Sequence, residues 1–207
     1  MSQSGVECVM TAMDRECELA LVARLRAGDA DAFDRVYEAF NARLFNFLAR
    51  LARNRDTAED LLEETWLRFV HHAPRLKTDT TLAPFLFTIA RNLHVSYCRS
   101  RLLEDSCSID LMGLGPSGST RPSPFESTVA NETGHRIEQA LAAMPAIYRE
   151  ALLLVAVEGM KPAEASMVCG ISPDAMRQRI SRARTLVARK LDEENHPLLV
   201  TLKAVTA

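Results

Sequence analysis

Apolar residues recur at helical spacing along most of the chain. After Asp29, apolar side chains stand three, four or seven residues apart, which places them on one face of a helix; they are Phe33, Val36, Tyr37, Phe40, Leu44, Phe47, Leu48 and Leu51. The strict alternation typical of a half-buried strand is nearly absent. The pattern therefore predicts an all-α protein.

Start and stop signals divide the first half of the chain into helices. Asp29 is a natural N-cap for the helix just described, and Asp56 with Glu59 resembles a capping box. Four helices are predicted, at about 15–27, from 30 onward, at 56–72 and at 84–103. Because short connections join them, residues 14–103 are expected to bury a shared core as one domain, after a loose tail of residues 1–13.

The composition changes after residue 103. Residues 113–124 are rich in Gly, Pro and Ser and offer little to bury, so residues 104–130 are predicted to be a flexible linker. Helical periodicity returns with Ile137 and Leu141. The sequence thus predicts a second helical domain, residues 131–194, and a C-terminal tail, residues 195–207.

The second domain ends in a helix-turn-helix pattern. A short helix near Pro162–Val168 and a turn at residues 169–171 precede a long helix that begins at Pro173, with Ser172 as its N-cap. One face of the long helix is apolar and the other is basic, carrying Arg177, Arg179, Arg182, Arg184, Arg189 and Lys190. Guanidinium groups spaced in this way can reach phosphates and guanine edges in a major groove, which predicts DNA binding.

Five carboxylates crowd two turns of the third predicted helix: Asp56, Glu59, Asp60, Glu63 and Glu64. Like charges four residues apart cost a few tenths of a kcal/mol each, about 0.2–0.5. No histidine stands at a ligand spacing and no Gly-rich phosphate loop is present, so a catalytic or metal site is not predicted. A docking face for a basic partner explains the crowding better.

The fourth predicted helix has the opposite charge. Arg91, Arg99 and Arg101 share it with Asn92 and Tyr97, and a polar connector, residues 76–81, precedes it. Basic side chains beside a polar loop and aromatic rings suit single-stranded nucleic acid.

Composition and charge place few further limits on function. The 207 residues include 25 Lys and Arg against 27 Asp and Glu, a net charge of −2, so any nucleic-acid site depends on how charge is distributed. No uncharged apolar stretch is long enough to span a membrane, and the N-terminus lacks a signal peptide pattern, so a cytoplasmic protein is expected. The five cysteines are scattered without zinc spacing and are interpreted as reduced thiols, with a redox- or metal-sensing pair, such as Cys98 and Cys107, as the alternative.

Three separated segments resemble the ECF (extracytoplasmic function) sigma factors of bacterial RNA polymerase. Asp56-Thr-Ala-Glu-Asp-Leu-Leu-Glu-Glu-Thr-Trp66 is similar to the acidic segment D-A-E-D-L-x-Q-E-T-F of that family, and Phe85-Leu-Phe-Thr-Ile-Ala-Arg-Asn92 to W-L-x-x-I-A-R-N. Gly170-Ile-Ser-Pro-Asp-Ala-Met-Arg-Gln-Arg-Ile-Ser-Arg-Ala-Arg184 is similar to G-I-S-x-x-T-V-K-S-R-L-x-R-A-R. The resemblance covers nearly the whole chain, in the order expected.

The resemblance implies a role for each segment. The acidic residues Asp56, Glu59, Asp60, Glu63 and Glu64 would dock on the clamp helices of the largest core polymerase subunit. The −10 promoter element would be read, with a flipped base, by Leu76, Lys77, Thr78, Asp79, Thr80, Arg91, Asn92, Arg99 and Arg101. The −35 element would be read as duplex by Arg177, Gln178, Arg179, Ser181, Arg182 and Arg184.

The resemblance thus implies a promoter-specificity subunit with a sigma-2-like and a sigma-4-like domain, for a stress or envelope-response regulon. Its partners would be the largest and second-largest subunits of core RNA polymerase, promoter DNA and an anti-sigma factor; it would be a monomer without cofactor, metal or enzymatic activity. The alternative is a free-standing helix-turn-helix regulator that acts without polymerase. The acidic patch separates the two, because such a regulator has no need of a polymerase docking face.

Overall fold

The computed structural model describes residues 15–112 and 132–195, and these residues are almost entirely helical. The helices are α1 (Arg15–Arg26), α2 (Ala30–Ala52), α3 (Arg55–His72), α4 (Leu82–Met112), α5 (Glu132–Ala142), α6 (Ala146–Leu152), α7 (Pro162–Cys169) and α8 (Pro173–Asn195). A 3₁₀ turn (Ala73–Arg75) follows α3, and a π-helical turn (Leu153–Val157) follows α6. Within the described ranges, none of the helices has the length and apolar character needed to cross a membrane. The prediction of an all-α fold with two helical regions is confirmed.

The predicted start of α2 is confirmed, and that of α3 needs correction. The carboxylate of Asp29 accepts a hydrogen bond from the backbone of Ala32, as an N-cap does. At α3 the N-cap is Asn54, whose side chain accepts from the backbone of Thr57 at 2.9 Å. Asp56 therefore lies inside the first turn, and Glu59 pairs with Arg55 instead of reaching back to a cap. Asn54 caps better here because its own backbone is extended (φ −144°, ψ 129°), the conformation an N-cap requires.

Helix α4 is longer than predicted. It continues past Leu103 to Met112, so residues 104–112 of the predicted linker are helical. The sequence explains the extension, because no Gly or Pro follows Pro84 until Gly113. Residues 113–131 lie outside the described part of the chain.

The described helices form an N-terminal unit (α1–α4) and a C-terminal unit (α5–α8) that share one hydrophobic core. In the N-terminal unit, Phe47 and Phe87 are fully buried and meet edge to face with ring centroids 5.1 Å apart. The apolar cluster continues without a break into the C-terminal unit through buried residues such as Leu153 and Met176. The units are thus packed against each other, a contact that the sequence did not predict.

The helix-turn-helix has the predicted form. Gly170 ends α7 in the left-handed conformation (φ 64°, ψ 38°), where a glycine costs little. The hydroxyl of Ser172 accepts a hydrogen bond from the backbone of Ala175 and caps α8. Met176, Ile180 and Ala183 are buried and Val187 is half-buried, so the apolar face predicted for this helix is its buried face.

A buried arginine, Arg149 of α6, fixes how the two units meet. Its guanidinium donates to the carbonyl of Leu141 in the last turn of α5 and to that of Met144, two residues beyond this helix, both at 2.8 Å. It also donates to the carbonyl of Arg50 at 3.2 Å, in the last turn of α2. The last carbonyls of a helix lack intrahelical partners and carry partial negative charge, so one cation satisfies the ends of two helices from different units.

We therefore expect Arg149→Met to lower the free energy of unfolding by about 3 kcal/mol, because buried carbonyls lose their donors. Urea denaturation followed by circular dichroism measures the loss. Arg184→Met, on the exposed face of α8, is the matched control and should change stability by less than about 0.5 kcal/mol. Equal effects of the two substitutions would contradict the role given to Arg149.

Candidate functional site

The acidic residues of α3 form a solvent-facing surface. Asp56, Glu59, Asp60 and Glu63 are exposed, and Glu64 is half-buried. Glu59 pairs with Arg55 and Glu64 with Arg68, each at 2.8 Å across one helical turn. Such exposed pairs contribute little to stability, so the carboxylates remain available to a partner.

An apolar groove lies beside this acidic surface, and the sequence did not predict it. The groove has a volume of about 370 Å³ and lies between α2 and α3. Its lining includes Phe33, Tyr37, Leu62, Trp66, Leu67 and Val70, with Glu59 and Glu63 among its polar residues. Leu67 and Val70 are about half exposed, at 52% and 49%, which is unusual for large apolar side chains. One sequence signal could have indicated the groove: Leu67 and Val70 are large apolar residues that lie off the buried face of α3.

The connector between α3 and α4 carries five of the predicted −10 residues. Lys77, Thr78 and Asp79 are exposed and Thr80 is half-buried. Leu76 is only 4% exposed and packs in the core, where it anchors the connector. Its burial corrects the prediction that Leu76 contacts DNA. Arg15 of α1 donates to the carbonyl of Asp79 at 2.5 Å and to the hydroxyl of Thr81 at 3.2 Å, which holds the connector in place.

The predicted −10 residues on α4 have different surroundings. Asn92, Arg99 and Arg101 are exposed, and the guanidinium of Arg101 lies 6.0 Å from the ring centroid of Tyr97. Arg91 is half-buried and donates to a carboxylate oxygen of Glu150 on α6 at 2.9 Å. In this arrangement Arg91 does not face solvent as the exposed arginines do.

The pair between Arg91 and Glu150 is one of several ion pairs between the two units. Arg43 donates to Glu158 at 2.8 Å, and the Nε and Nη2 groups of Arg50 donate to Glu138 at 2.9 and 2.7 Å. Glu158 directly follows the π-helical turn, which brings its side chain to α2. Burial raises the pKa of Glu158 above its ordinary value, although the hydrogen bond from Arg43 opposes that rise.

A histidine and two thiols lie at the same contact. His94 of α4 is buried, and its Nε2 atom lies 3.6 Å from the sulfur of Cys98. Burial lowers the pKa of His94; the carboxylate of Glu150 opposes the shift, and the cations of Arg149 and Arg91 add to it. Burial also raises the pKa of Cys98, and that of Cys169 to about 12, so neither thiol is activated.

The basic face of α8 is open to solvent. Arg177, Gln178, Ser181, Arg182 and Arg184 are exposed and Arg179 is half-buried. Arg177 pairs with Asp174 in the first turn of the helix. The face is therefore accessible from solvent. Among the residues described, no three His, Cys, Asp or Glu side chains lie together so as to hold a metal ion.

Comparisons with known proteins agree with this geometry. Residues 36–102 match the family model for sigma-70 region 2, and residues 134–187 match that for sigma-70 region 4. The chain is 31% identical over 170 residues to the RNA polymerase sigma factor CarQ of Myxococcus xanthus, an alignment that covers 82% of this chain and 95% of CarQ. It is 32% identical over 149 residues to the ECF RNA polymerase sigma factor EcfG of Rhodopseudomonas palustris, covering 70% of this chain and 77% of EcfG. The chain belongs to the ECF family of RNA polymerase sigma factors.

A solved structure supports the same assignment for this sigma factor. The sigma factor RpoE of Bartonella quintana, in complex with the anti-sigma factor NepR, superposes with a TM-score of 0.64 at 26% identity. The match covers 77% of this chain and 96% of that one. The region 2 match contains the acidic surface, the connector and Arg91, and the region 4 match contains the basic face of α8. Family membership favours the sigma factor interpretation over a free-standing regulator.

The buried His94 should make the stability of this sigma factor depend on pH. Its pKa in the folded chain lies below the ordinary 6.5, so below about pH 6.5 the unfolded chain binds a proton that the folded chain does not. The contribution of neutral His94 to the free energy of unfolding is therefore fully present above that pH, and it is lost as the pH falls toward the pKa of His94 in the folded chain. The urea midpoint should drop between about pH 7.5 and about pH 5.5, and His94→Gln should reduce the drop. If the urea midpoint of His94→Gln drops as much as that of the parent chain, groups other than His94 cause the pH dependence.

Proposed function

We propose that this chain is the promoter-specificity subunit that directs core RNA polymerase to −35 and −10 elements. The observation that carries the proposal is the separation of charge between its two sigma regions: exposed carboxylates on α3 and an exposed arginine face on α8. A protein that must grip both a protein and DNA needs surfaces of both signs. We also infer that the sigma-2-like domain comprises residues 14–103 with the rest of α4, and the sigma-4-like domain residues 131–194.

The polymerase-docking surface is formed by α3 and the adjacent groove. Asp56, Glu59, Asp60, Glu63 and Glu64 supply charge complementary to a basic partner, the clamp helices of the largest subunit. The groove beside them offers exposed Leu67 and Val70. An apolar centre with a charged rim is the usual form of a protein–protein interface, which supports this surface as the docking site.

Capture of the −10 element is assigned to the connector and α4. Lys77, Thr78, Asp79 and Thr80 would line the site of a flipped base, with Asn92 near it. Arg91, Arg99 and Arg101 would hold neighbouring phosphates, and Tyr97 beneath Arg101 supplies an aromatic surface. Free energy for strand opening would come from binding.

Recognition of the −35 element is assigned to α8. Arg177, Gln178, Arg179, Ser181, Arg182 and Arg184 lie on or beside the exposed face of a helix that begins at a well-defined cap. In a helix-turn-helix the N-terminal residues of the second helix contact base edges, which is where Arg177 and Gln178 stand.

Further properties follow from family membership. A sigma factor is a binding subunit and not an enzyme by itself, and it would act as a monomer in the cytoplasm. The second-largest polymerase subunit and an anti-sigma factor are the other expected partners; RpoE of Bartonella quintana was solved with such a factor. A stress or envelope-response regulon is the expected target.

Run-off transcription tests the proposal as a whole. Purified core polymerase with this chain should start transcripts at discrete sites on fragments of the source genome, and core polymerase alone should not. Strong operator binding by the free chain, without any transcript in the presence of core polymerase, would contradict the proposal.

Charge reversal on α3 tests the docking surface. We expect Glu63→Lys, at the rim of the groove, to weaken core polymerase binding by about tenfold or more, because like charges would face each other. Native gel shift or surface plasmon resonance with purified core polymerase measures the affinity. Glu16→Lys, an exposed carboxylate of α1, carries the same charge change and should bind as the parent chain does.

Removal of one α8 arginine tests the −35 assignment. With holoenzyme on a promoter fragment, Arg182→Ala should weaken binding by about 1–3 kcal/mol if it reads a base, or lower the salt dependence by about one unit if it contacts a phosphate. Filter binding across a salt series measures both. The matched control is Arg26→Ala, at the exposed last residue of α1, and an equal effect there would remove α8 from the −35 interface.

A further inference from the structure

A cavity of about 670 Å³ lies where the two helical units meet. The N-terminal unit contributes the first turns of α1 and α4 and the middle of α2 to its walls. The C-terminal unit contributes residues 157–161 and Glu164. Small-molecule sites in proteins have volumes of about 300–1,000 Å³, so the cavity is large enough for a small organic ligand.

An irregular turn builds the C-terminal wall of the cavity. The π-helical turn Leu153–Val157 is followed by Gly159 in the left-handed conformation (φ 69°), where a glycine costs little. Turns of the π type occur frequently at functional sites. Here the turn places Val157 in the wall while this side chain stays 51% exposed. The cavity thus offers apolar surface to a ligand.

The accessible charge in the cavity is positive. Two ion pairs stand in its walls, and in each the arginine is more exposed than the carboxylate: Arg15 is 47% exposed against 10% for Glu18, and Arg43 is 33% exposed against 4% for Glu158. The second oxygen of Glu18 accepts from the backbone of Leu82 at 2.7 Å. Donors within the walls therefore engage these two carboxylates, and the cations keep the contact with solvent.

Donors remain for a ligand on Arg43 and Lys161. The ring of Phe40, 4.9 Å from the guanidinium of Arg43, and the bond from its Nε group to Glu158 fix this side chain, while its Nη1 group donates to no residue that the structure describes. Lys161 is exposed, and its ammonium pairs with no carboxylate in the described ranges. The carboxylate of Glu164 accepts from the backbone of Lys161 at 2.8 Å, so it too has a donor within the wall.

We propose that this cavity binds a small organic phosphate, with the phosphate held by Arg15, Arg43 and Lys161 and its apolar substituent against Val157. A phosphate group has several anionic oxygens and can accept from two guanidinium groups and an ammonium at once. The site does not depend on the proposed function, because none of its lining residues belongs to the sets assigned to polymerase or promoter DNA.

A ligand in this position would bridge the two units. Arg15 and Arg43 belong to the N-terminal unit, and Lys161 belongs to the C-terminal unit. The phosphate would thus join cations that are more than a hundred residues apart in the chain. A ligand that binds only the folded chain stabilises it by mass action, so we expect the melting temperature to rise with ligand concentration.

Calorimetric titration of the full chain with phenyl phosphate tests the ligand class. We expect one site with a Kd of about 1 mM or lower. Inorganic phosphate lacks the ring and phenol lacks the charge, so each should bind at least about tenfold more weakly. Absence of saturable binding of phenyl phosphate would overturn the site. Equal binding of inorganic phosphate would overturn the apolar contact, and equal binding of phenol would overturn the role of the cations.

Removal of one cation tests the assigned residues. Lys161→Gln removes an exposed charge and should weaken binding of phenyl phosphate by about tenfold, because a charge-assisted hydrogen bond is lost. Arg26→Gln is the matched control; it also removes one exposed cation, at the opposite end of α1 from Arg15, and should bind as the parent chain does. Circular dichroism confirms that both variants are folded. Equal affinities of the two variants would overturn the assignment of Lys161.

Amide chemical shifts locate the bound phosphate. In a ¹⁵N-labelled chain titrated with phenyl phosphate, the signals of Thr81 and Gly159 should shift, because these residues line the cavity from different units. The signal of Gly28, at the far end of α1, should stay in place. Shifts confined to α8, at residues such as Arg177 and Arg182, would show that the phosphate binds the basic face of that helix and would overturn the proposal.

Discussion

The guanidinium of Arg149 satisfies the C-terminal carbonyls of two helices that are about a hundred residues apart in the chain. It donates to Leu141 and Met144 beside its own helix and to Arg50 at the end of α2. A buried cation has few acceptable surroundings, and the ends of helices are among them because their carbonyls lack partners. The position of α6 against α2 is thereby determined, and the ion pairs of Arg43, Arg50 and Arg91 form around this contact.

This arrangement explains why some carboxylates and arginines are exposed to solvent while others are buried. The carboxylates of α3 and the arginines of α8 stay in solvent, where hydration keeps their cost low. Glu138, Glu150 and Glu158 of the C-terminal unit are largely covered, and each has an arginine partner. A charged side chain at the contact between the units is therefore paired within the chain. A charged side chain away from that contact is available to a partner, whatever its sign.

Local signals in the sequence predicted local structure well. Asp29 and Ser172 act through neighbours at most a few residues away, and the helix starts that they predict are present. Asn54 was missed because Asp56 offered an equally good cap two residues later, and only backbone conformation decides between them. The sequence analysis ended α4 at Leu103 because the composition changes there. The helix in fact continues to Met112, just before Gly113.

Contacts between distant residues were beyond a single sequence. Leu76 is buried because the connector packs against the apolar core, which residues distant in sequence form. The partner of Arg91 lies 59 residues away, on another helix. The acidic and basic residues of the candidate interfaces could be named because they cluster within one helix. The groove of Tyr37, Leu67 and Val70 could not, because it exists only where α2 and α3 pack side by side.

The exposed carboxylates of α3 and the exposed arginines of α8 give this nearly neutral molecule two surfaces of opposite charge. A net charge of −2 produces little attraction to a distant partner, but separated surfaces of opposite sign experience a torque in any external field. A basic protein surface therefore attracts α3, and a polyanion attracts α8. Added salt weakens both attractions by shortening the Debye length.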